Sequence, residues 1–286
     1  MGAMDIAFPN INVYLHNVPK NFTVFGFTIA WYGVLIGLGF MLALVLIAQV
    51  AKHTGQKADD YWDVAIYIII FSIVGARLYY VFFAWDYYKN DLLSIFNTRN
   101  GGLAIYGGVI AGFTTLFVFS KVRKKNFFLL GDTIMPGLIF GQVLGRWGNF
   151  CNREAFGEYT NGLLAMRLPV EAVRSGEITD LMKANMVEGT NYIQVSPTFL
   201  YESLWNLVLL ILVLLYTKHK KFDGEIVLLY LGGYGLGRAW IEALRTDQLK
   251  MHTTGLPVSQ MLAICLVVFA VVTDVIVRMR LKKKEA

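Results

Sequence analysis

The sequence predicts an all-α, polytopic membrane protein with about seven transmembrane helices and a small extracytoplasmic head. Hydrophobic residues make up 56% of the 286 residues and charged residues only 16%, and the mean hydropathy is +0.52. Several apolar segments approach the length of about 20 residues that a membrane-spanning helix requires. The rest of the chain is too short to hold a large soluble domain beside these spans.

Seven candidate spans alternate with polar connectors along the chain. They cover residues 25–50, 64–85, 103–120, 129–146, 199–217, 225–244 and 256–277. The fourth span is the weakest, because its uncharged stretch from Thr133 to Gly145 contains Pro136 and is shorter than the roughly 17 residues of a full crossing. We therefore expect this segment to be kinked or re-entrant.

Basic residues in the connectors predict the orientation, since Lys and Arg are retained on the cytoplasmic side. The connectors after spans one, three and five and the segment after span seven hold most of the basic residues between and after the spans. These are Lys52 and Lys57; Lys121, Arg123, Lys124 and Lys125; Lys218, Lys220 and Lys221; and Arg278, Arg280, Lys282, Lys283 and Lys284. The N-terminal segment and the short connectors on the other side hold fewer: Lys20, Lys89, Arg99, Arg245 and Lys250. The N-terminus is expected outside and the C-terminus inside. This scattered pattern does not indicate nucleic-acid binding, despite a net charge of +6.

Two connectors on the predicted outer side have distinctive features. Residues 86–102 place aromatic and aliphatic residues among polar ones, which is typical of an interfacial arm and also of an ordinary aromatic-belt loop. Residues 147–198 form the largest segment outside the spans and are the expected head. We predict that residues 1–286 form a single transmembrane catalytic domain that includes both.

A polar motif directly follows the fourth apolar segment. It reads Gly145-Arg146-Trp147-Gly148-Asn149-Phe150-Cys151-Asn152-Arg153-Glu154-Ala155-Phe156-Gly157, and we place its later part, including Cys151, in a loop. An ionisable group held near hydrocarbon costs at least a few kcal/mol, so Arg146 is expected to bind an anion or a carboxylate. The alternative is a loop arginine that extends to the headgroup level.

Other charges lie inside or at the ends of predicted spans. Arg77 lies in span two, Glu202 opens span five, and Arg238, Glu242 and Arg245 close span six. On a continuous helix the last three share one face, and glycines at 232, 233, 235 and 237 permit close helix approach or passage of a bulky ligand. Alternatively, Arg238 and Glu242 form an ion pair that only holds helices together.

Several arginines at one level of the membrane suit a phosphate, which the planar guanidinium binds bidentately. A phospholipid headgroup is the obvious candidate. Histidines occur only at positions 16, 53, 219 and 252, outside every predicted span, so a histidine metal site or a Ser/His nucleophile is not indicated. We expect no metal and no organic cofactor.

The motifs together resemble those of the prolipoprotein diacylglyceryl transferase family, over nearly the whole chain. The family signature is matched by residues 145–157. Further matches are Trp31-Tyr32-Gly33, Gly75-x-Arg77, Gly101-Gly102-Leu103-Ala104-Ile105-Tyr106-Gly107-Gly108, Pro197-Thr198-x-Leu200-Tyr201-Glu202 and Gly237-Arg238-x-x-x-Glu242-x-x-Arg245-x-Asp247. Members of this family have seven spans and an outer N-terminus, in agreement with the orientation predicted from the loop charges.

The resemblance implies transfer of the diacylglyceryl group of phosphatidylglycerol to the lipobox cysteine thiol of a prolipoprotein signal peptide, with release of glycerol phosphate. It implies a multi-pass protein of the bacterial cytoplasmic (inner) membrane with an active site on the extracytoplasmic side. Arg146 and Arg238 would stabilise the departing phosphate, and Asn149 would hydrogen-bond the headgroup. Among the other substrate-binding candidates, Glu154 and Glu242 would orient the arginines or the glycerol hydroxyls and Tyr32 would line the lipid pocket; Arg245 and Glu202 complete the set.

The sequence departs from the family pattern at two positions. Tyr106 and Ser196 stand where the family commonly has histidine, its candidate proton acceptor. Tyrosine, with a reference pKa near 10, is a poor general base at neutral pH. Either the base lies elsewhere and Tyr106 donates a hydrogen bond at the catalytic site, or the arginines alone favour the thiolate. An inactive relative is the third reading.

A transporter or lipid-binding protein without chemistry is the competing class. Pro136 and the glycine-rich spans fit a transporter with discontinuous helices. However, no repeat relates the two halves, and the charges gather at one face of the membrane. These observations favour the enzyme.

Overall fold

The long apolar segments form helices, as the sequence predicts. The computed structural model describes residues 5–98, 101–251 and 255–285. Arg99 and His252, used above, lie outside the described residues. The helices are α1 (Trp31–His53), α2 (Ala58–Phe83), α3 (Trp85–Tyr88), α4 (Ile105–Val122), α5 (Phe127–Asn152), α6 (Asp180–Ala184), α7 (Thr198–Tyr216), α8 (Glu225–Glu242) and α9 (Val258–Glu285).

Six helices among the described residues are long and apolar enough to cross a membrane. They are α1, α2, α4, α5, α7 with the 3-10 turn that follows it, and α9. The chain is therefore a mostly helical, polytopic membrane protein. The sixth predicted span forms α8, an 18-residue helix that contains three charged residues, Glu225, Arg238 and Glu242.

Helix α5 is longer than the sequence indicated for the fourth span. It is one continuous helix of 26 residues with Pro136 inside it, and it is long enough to cross a bilayer at a rise of about 1.5 Å per residue. The first eight residues of the signature, Gly145 to Asn152, belong to this helix, so Cys151 does not lie in a loop. The chain leaves the helix at Arg153 and Ala155, whose φ angles are 55° and 56°.

The prediction of an all-helical chain is wrong for the N-terminal segment and the head, where the described residues contain six short strands. They are β1 (Ile6–Phe8), β2 (Val13–Leu15), β3 (Asn21–Val24), β4 (Phe27–Ala30), β5 (Met166–Pro169) and β6 (Tyr192–Val195). Strands β2, β1, β5 and β6 form an antiparallel sheet in that order, and β3 pairs with β4. Strands of three or four residues are too short to show the period-two alternation by which strands are recognised.

The chain divides into two compact units. One contains the residues up to 43 and from 135 onward, and the other contains residues 44–134. In the first unit, the sheet packs on the ends of α5 and α7. Its buried core includes Ile6, Leu168 and Ile193 from the strands, Phe150 from α5 and Phe199 from α7.

Close packing of α8 against its neighbours depends on glycine. A Cβ atom at Gly237 would lie 2.3 Å from Cδ1 of Trp205 in α7, and one at Gly235 would lie 2.7 Å from the carbonyl oxygen of Ala263 in α9. Both distances are shorter than a carbon atom allows. The glycines of α8 therefore permit close helix approach, which confirms that interpretation of the sequence.

In the second unit, the segment predicted as an interfacial arm is organised around Arg77. The segment contains α3 and a 3-10 turn, Leu92–Phe96. The buried guanidinium of Arg77 donates to five backbone carbonyls, those of residues 94, 95, 97, 101 and 102, at 2.6 to 3.1 Å. All five N–H groups of the guanidinium are thus used inside the protein, and Arg77 does not present a donor for a phosphate.

Candidate active site

Glu202 is the centre of the polar cluster in the first unit. It lies in the second turn of α7, and its side chain is only 5% exposed. Nη2 of Arg146 lies 2.5 Å from Oε2, whereas Nη1 of Arg238 lies 3.0 Å and Nη1 of Arg245 3.5 Å from Oε1. One buried carboxylate on the fifth predicted span therefore brings together arginines from the fourth and the sixth predicted spans.

The predicted pair on α8 is present. Nη2 of Arg238 lies 2.6 Å from Oε2 of Glu242 at the i,i+4 spacing, and the Glu242 side chain is 3% exposed. This contact is an ion pair without hydrogen-bond geometry, since Oε2 of Glu242 has no hydrogen-bond partner among the described residues. Arg238 is thus held between Glu202 and Glu242.

Arg245 does not extend the helical face as predicted. Helix α8 ends at Glu242, so Arg245 lies in the following turn. There Nε and Nη2 of Arg245 bind the two carboxylate oxygens of Asp247 at 2.8 and 2.6 Å. Burial raises the pKa of Asp247, but the bonds and positive charge of Arg245 outweigh burial, and the pKa lies below its usual range.

Asp247 is a functional candidate that sequence reasoning did not single out. It stands in the matched motif two residues after Arg245, and that spacing was the available signal. Together the cluster contains three arginines, Arg146, Arg238 and Arg245, and three carboxylates, Glu202, Glu242 and Asp247. Its formal charges balance in the protein without a ligand.

The signature residues continue the network from Arg146 towards the head. Nη1 of Arg146 lies 3.4 Å from Oδ1 of Asn149. Asn149 and Asn152 donate to Oε1 of Glu154 at 3.0 and 3.2 Å. Oε2 of Glu154 lies 3.4 Å from Nη2 of Arg174, a residue of the head that the sequence analysis missed. Nothing in its surrounding sequence distinguishes Arg174 from an ordinary surface arginine.

Tyr32 lies beside the signature helix. It is the second residue of α1, and its ring is close enough to α5 that a Cβ atom at Gly148 would lie 2.7 Å from Cδ2 of Tyr32. Its ring remains partly exposed. The signature glycine, two residues after Arg146, therefore makes room for the aromatic ring.

The two positions that depart from the family pattern have different surroundings. Oγ of Ser196 donates to the carbonyl oxygen of Glu158 at 3.1 Å, and the residue is buried. Its role is structural, because it joins β6 to the segment after the signature. Tyr106 is the second residue of α4 in the other unit and is 45% exposed. Its part in the site stays a prediction.

The cluster is suited chemically to an oxyanion. Its arginines are buried or half-buried, which strengthens their electrostatic interactions relative to water. Guanidinium groups bind phosphate oxygens bidentately. The described residues contain no group of three or more His, Cys, Asp or Glu side chains that could hold a metal ion. The arrangement can stabilise negative charge that develops on a phosphate.

Comparisons with known proteins agree with this chemistry. The family model described as prolipoprotein diacylglyceryl transferase matches residues 19–276. A protein of Clostridioides difficile is 40% identical over 230 residues, which are 80% of this chain and 84% of that protein. Proteins of Finegoldia magna and Clostridium botulinum are 39% and 38% identical, over 89% and 88% of this chain and 93% and 94% of their own lengths.

All three relatives bear the name phosphatidylglycerol–prolipoprotein diacylglyceryl transferase. The similarity covers the signature on α5, the Glu202 motif on α7 and the Arg238 motif on α8. These are the three segments whose side chains meet in the cluster. The chain therefore belongs to the prolipoprotein diacylglyceryl transferase family.

Proposed function

We propose that this protein transfers the diacylglyceryl group of phosphatidylglycerol to the lipobox cysteine thiol of a prolipoprotein signal peptide. Glycerol phosphate is the second product. The observation that carries the proposal is the convergence of Arg146, Arg238 and Arg245 on one buried carboxylate, within a chain of this family. It supplies what the reaction needs, a preformed set of guanidinium groups that can bind a phosphate.

The bond changes explain why the arginines matter. The cysteine sulfur forms a bond to the terminal carbon of the diacylglyceryl group, and the bond from that carbon to the phosphate oxygen breaks. The thiol loses its proton, and the electron pair of the broken bond stays on the departing oxygen. The phosphate thus gains negative charge in the transition state, where preorganised cations are most effective.

Individual roles follow from the contacts. Arg146 is the most exposed of the three arginines, at 20% against 16% for Arg238 and 12% for Arg245, and it is the residue we assign to the phosphate. Arg238 is assigned to the same charge. Glu202, Glu242 and Asp247 hold the guanidinium groups in place, and Asn149 and Glu154 are placed to bind the glycerol part of the headgroup.

We further propose a seven-span topology in which α8 is the sixth crossing, with the N-terminus outside and the C-terminus inside. The distribution of basic residues between the connectors supports it. In a bacterial cytoplasmic membrane, this topology directs the active site to the extracytoplasmic side. Residues 86–102 would then lie at the outer interface as an arm, Tyr106 would donate a hydrogen bond at the site, and the whole chain would act as one catalytic domain.

The test is modification of a lipobox peptide in vesicles that contain phosphatidylglycerol and the purified protein. A mass increase of one diacylglyceryl group on the cysteine, together with release of glycerol phosphate, supports the transferase. The matched control is the same peptide with the cysteine replaced by serine. If the peptide is unmodified while the protein binds phosphatidylglycerol, the transporter or lipid-binding class is the correct one.

A further inference from the structure

Arg174 is a fourth arginine beside the signature residues. It lies between two 3-10 turns of the head, Val170–Ala172 and Ser175–Glu177. Its Nη2 is 3.4 Å from Oε2 of Glu154 and its Nη1 is 3.5 Å from Oε1 of Glu177. Through Glu154 and Asn149 it is connected to Arg146. A single chain of polar contacts therefore runs from the buried cluster to the exposed surface of the head.

The backbone around Arg174 is held in place by packing and by a hydrogen bond, whereas its side chain is mostly exposed. Val173 and Ile178, on either side, pack against the core of the head. Nζ of Lys20 donates to the carbonyl oxygen of Ala172 at 2.7 Å. The Arg174 side chain is nevertheless 75% exposed. Ion pairs that are exposed and long contribute little, so an incoming anion can replace either carboxylate at little cost.

Charged groups of both signs surround Glu154. Burial lowers the pKa of Lys20, and the positive charges of Arg153 and Arg174 lower it further, whereas the negative charge of Glu154 opposes them. Burial raises the pKa of Glu177, and Asp247 and Glu154 raise it as well, whereas Arg174 and Arg245 act in the opposite direction. Arg174 is the cation of this group that is mostly exposed, and an exposed cation attracts anions and speeds their association.

We propose that Arg174 is an outer binding residue for a phosphate ester. It holds the phosphate at the rim of the site, either before the phosphate reaches Arg146 or after the phosphate leaves Arg146. The proposal rests on the proposed transferase function and adds a second phosphate position to it. The phosphate ester has two possible sources with the same chemistry. One is the phospholipid headgroup on its way to the cluster, and the other is glycerol phosphate on its way out.

The experiment compares Arg174→Gln with Lys183→Gln, a matched control. Lys183 is a 60% exposed cation of the same head that pairs with Asp180. The measurements are KM for phosphatidylglycerol, the inhibition constant of added glycerol phosphate, kcat, and the melting temperature in detergent. For Arg174→Gln we expect an increase of about three- to tenfold in one or both constants, with kcat and melting temperature unchanged. The control should match the wild type.

An increase in KM alone assigns Arg174 to the arriving lipid, and an increase in the inhibition constant alone assigns it to the departing product. If neither constant changes, or if both changes also occur in Lys183→Gln, the proposal is overturned. Calorimetric titration of glycerol phosphate into both variants measures the same site without turnover. If the wild type modifies no peptide, the transferase proposal fails, while a lower affinity of Arg174→Gln in this titration still supports the outer phosphate position.

Discussion

Arg146 and Glu202 form the shortest ion pair of the cluster, with Nη2 of the arginine 2.5 Å from Oε2 of the glutamate. The pair joins the end of α5 to the second turn of α7, across 56 residues of sequence. Arg238 and Arg245 also contact Glu202. The carboxylate therefore fixes the positions of three guanidinium groups before any phosphate is bound, and this preorganisation is the property that the following predictions test.

Replacing Arg146 by alanine should reduce diacylglyceryl transfer by about 100-fold or more, the usual effect of removing one donor that stabilises a developing oxyanion. The protein should stay folded, because Arg238 and Arg245 still neutralise Glu202. Lysine should restore little activity, since an ammonium group cannot reproduce the bidentate guanidinium. Peptide modification and melting temperature in detergent check both expectations.

Arg123→Ala is the control for this variant, because Arg123 forms a half-exposed pair with Asp63 in the other unit. It should retain normal turnover. Near-normal product from Arg146→Lys would show that a point charge is sufficient and would remove the argument from bidentate binding.

Replacing Glu202 by glutamine should lower both activity and stability. The loss of the shared negative charge leaves three arginines close together in a buried site, and breaking a buried ion pair costs about 3–5 kcal/mol; the retained amide oxygen reduces this to about 2 kcal/mol. Glycerol phosphate should then raise the melting temperature of the variant more than that of the wild type, because the anion replaces the carboxylate among the arginines.

Sodium chloride at the same ionic strength is the control for general screening. If glycerol phosphate stabilises the two proteins equally, the arginines do not form an anion site around the position of Glu202, and that assignment fails.

The sequence predicted part of the cluster for a definite physical reason. Arg238 and Glu242 are four residues apart on one helix, and local periodicity is sufficient to bring them together. Arg245 was misplaced, because α8 ends three residues before it, at Glu242. Helix ends are the least certain element boundaries in a prediction from sequence. The role of Glu202 was out of reach, since no periodicity relates side chains on α5, α7 and α8.

The fold likewise contains parts that local sequence predicts and parts that depend on contacts between distant segments. Helices of about 20 apolar residues are determined by local composition, so the long spans were found. Strand β1 has three residues and pairs Ala7 with Arg167, far along the chain. Such a pairing depends on tertiary packing of the head and leaves no local pattern. The structural role of Arg77 was likewise hidden, because its five partners are backbone carbonyls.

Replacing Glu242 by glutamine tests whether its pair with Arg238 serves catalysis or only holds the protein together. The change preserves shape and removes one charge beside Arg238. We expect a loss of most activity with a loss of stability below about 1 kcal/mol, since Glu202 still neutralises Arg238. Turnover and thermal unfolding are measured on the same preparation. A stability loss large enough to account for the lost activity would decide for the structural role.

Replacing Arg77 by lysine should loosen the arm of residues 86–102. Lysine has three donors in place of five and cannot reach all the carbonyls in and after the 3-10 turn, so we expect a loss of about 2 kcal/mol. Limited proteolysis should show faster cleavage within Leu92–Phe96. Arg280→Lys, an exposed substitution near the end of α9, is the control. Unchanged cleavage of the arm would mean that the five bonds do not hold it.

Tyr106 stands where a histidine base is usual in the family, and its substitution tests how the thiol is deprotonated. If the arginines alone favour the thiolate, Tyr106→Phe should keep substantial activity, because it removes only the hydroxyl. The fraction of thiolate increases as pH rises through the thiol pKa of about 8.5, so activity should increase in the same range. No earlier rise near the histidine value of about 6.5 is expected.

The measurement is a pH profile of lipobox-peptide modification for the wild type, Tyr106→Phe and Tyr106→His. The histidine variant should gain activity at lower pH, because an imidazole with a pKa of about 6.5 accepts the thiol proton there. It serves as the positive control for a base at this position. If Tyr106→Phe is folded but inactive, the phenol oxygen takes part in the reaction directly. In that case the arginines alone are insufficient to generate the nucleophile, and the account in which they act without Tyr106 is overturned.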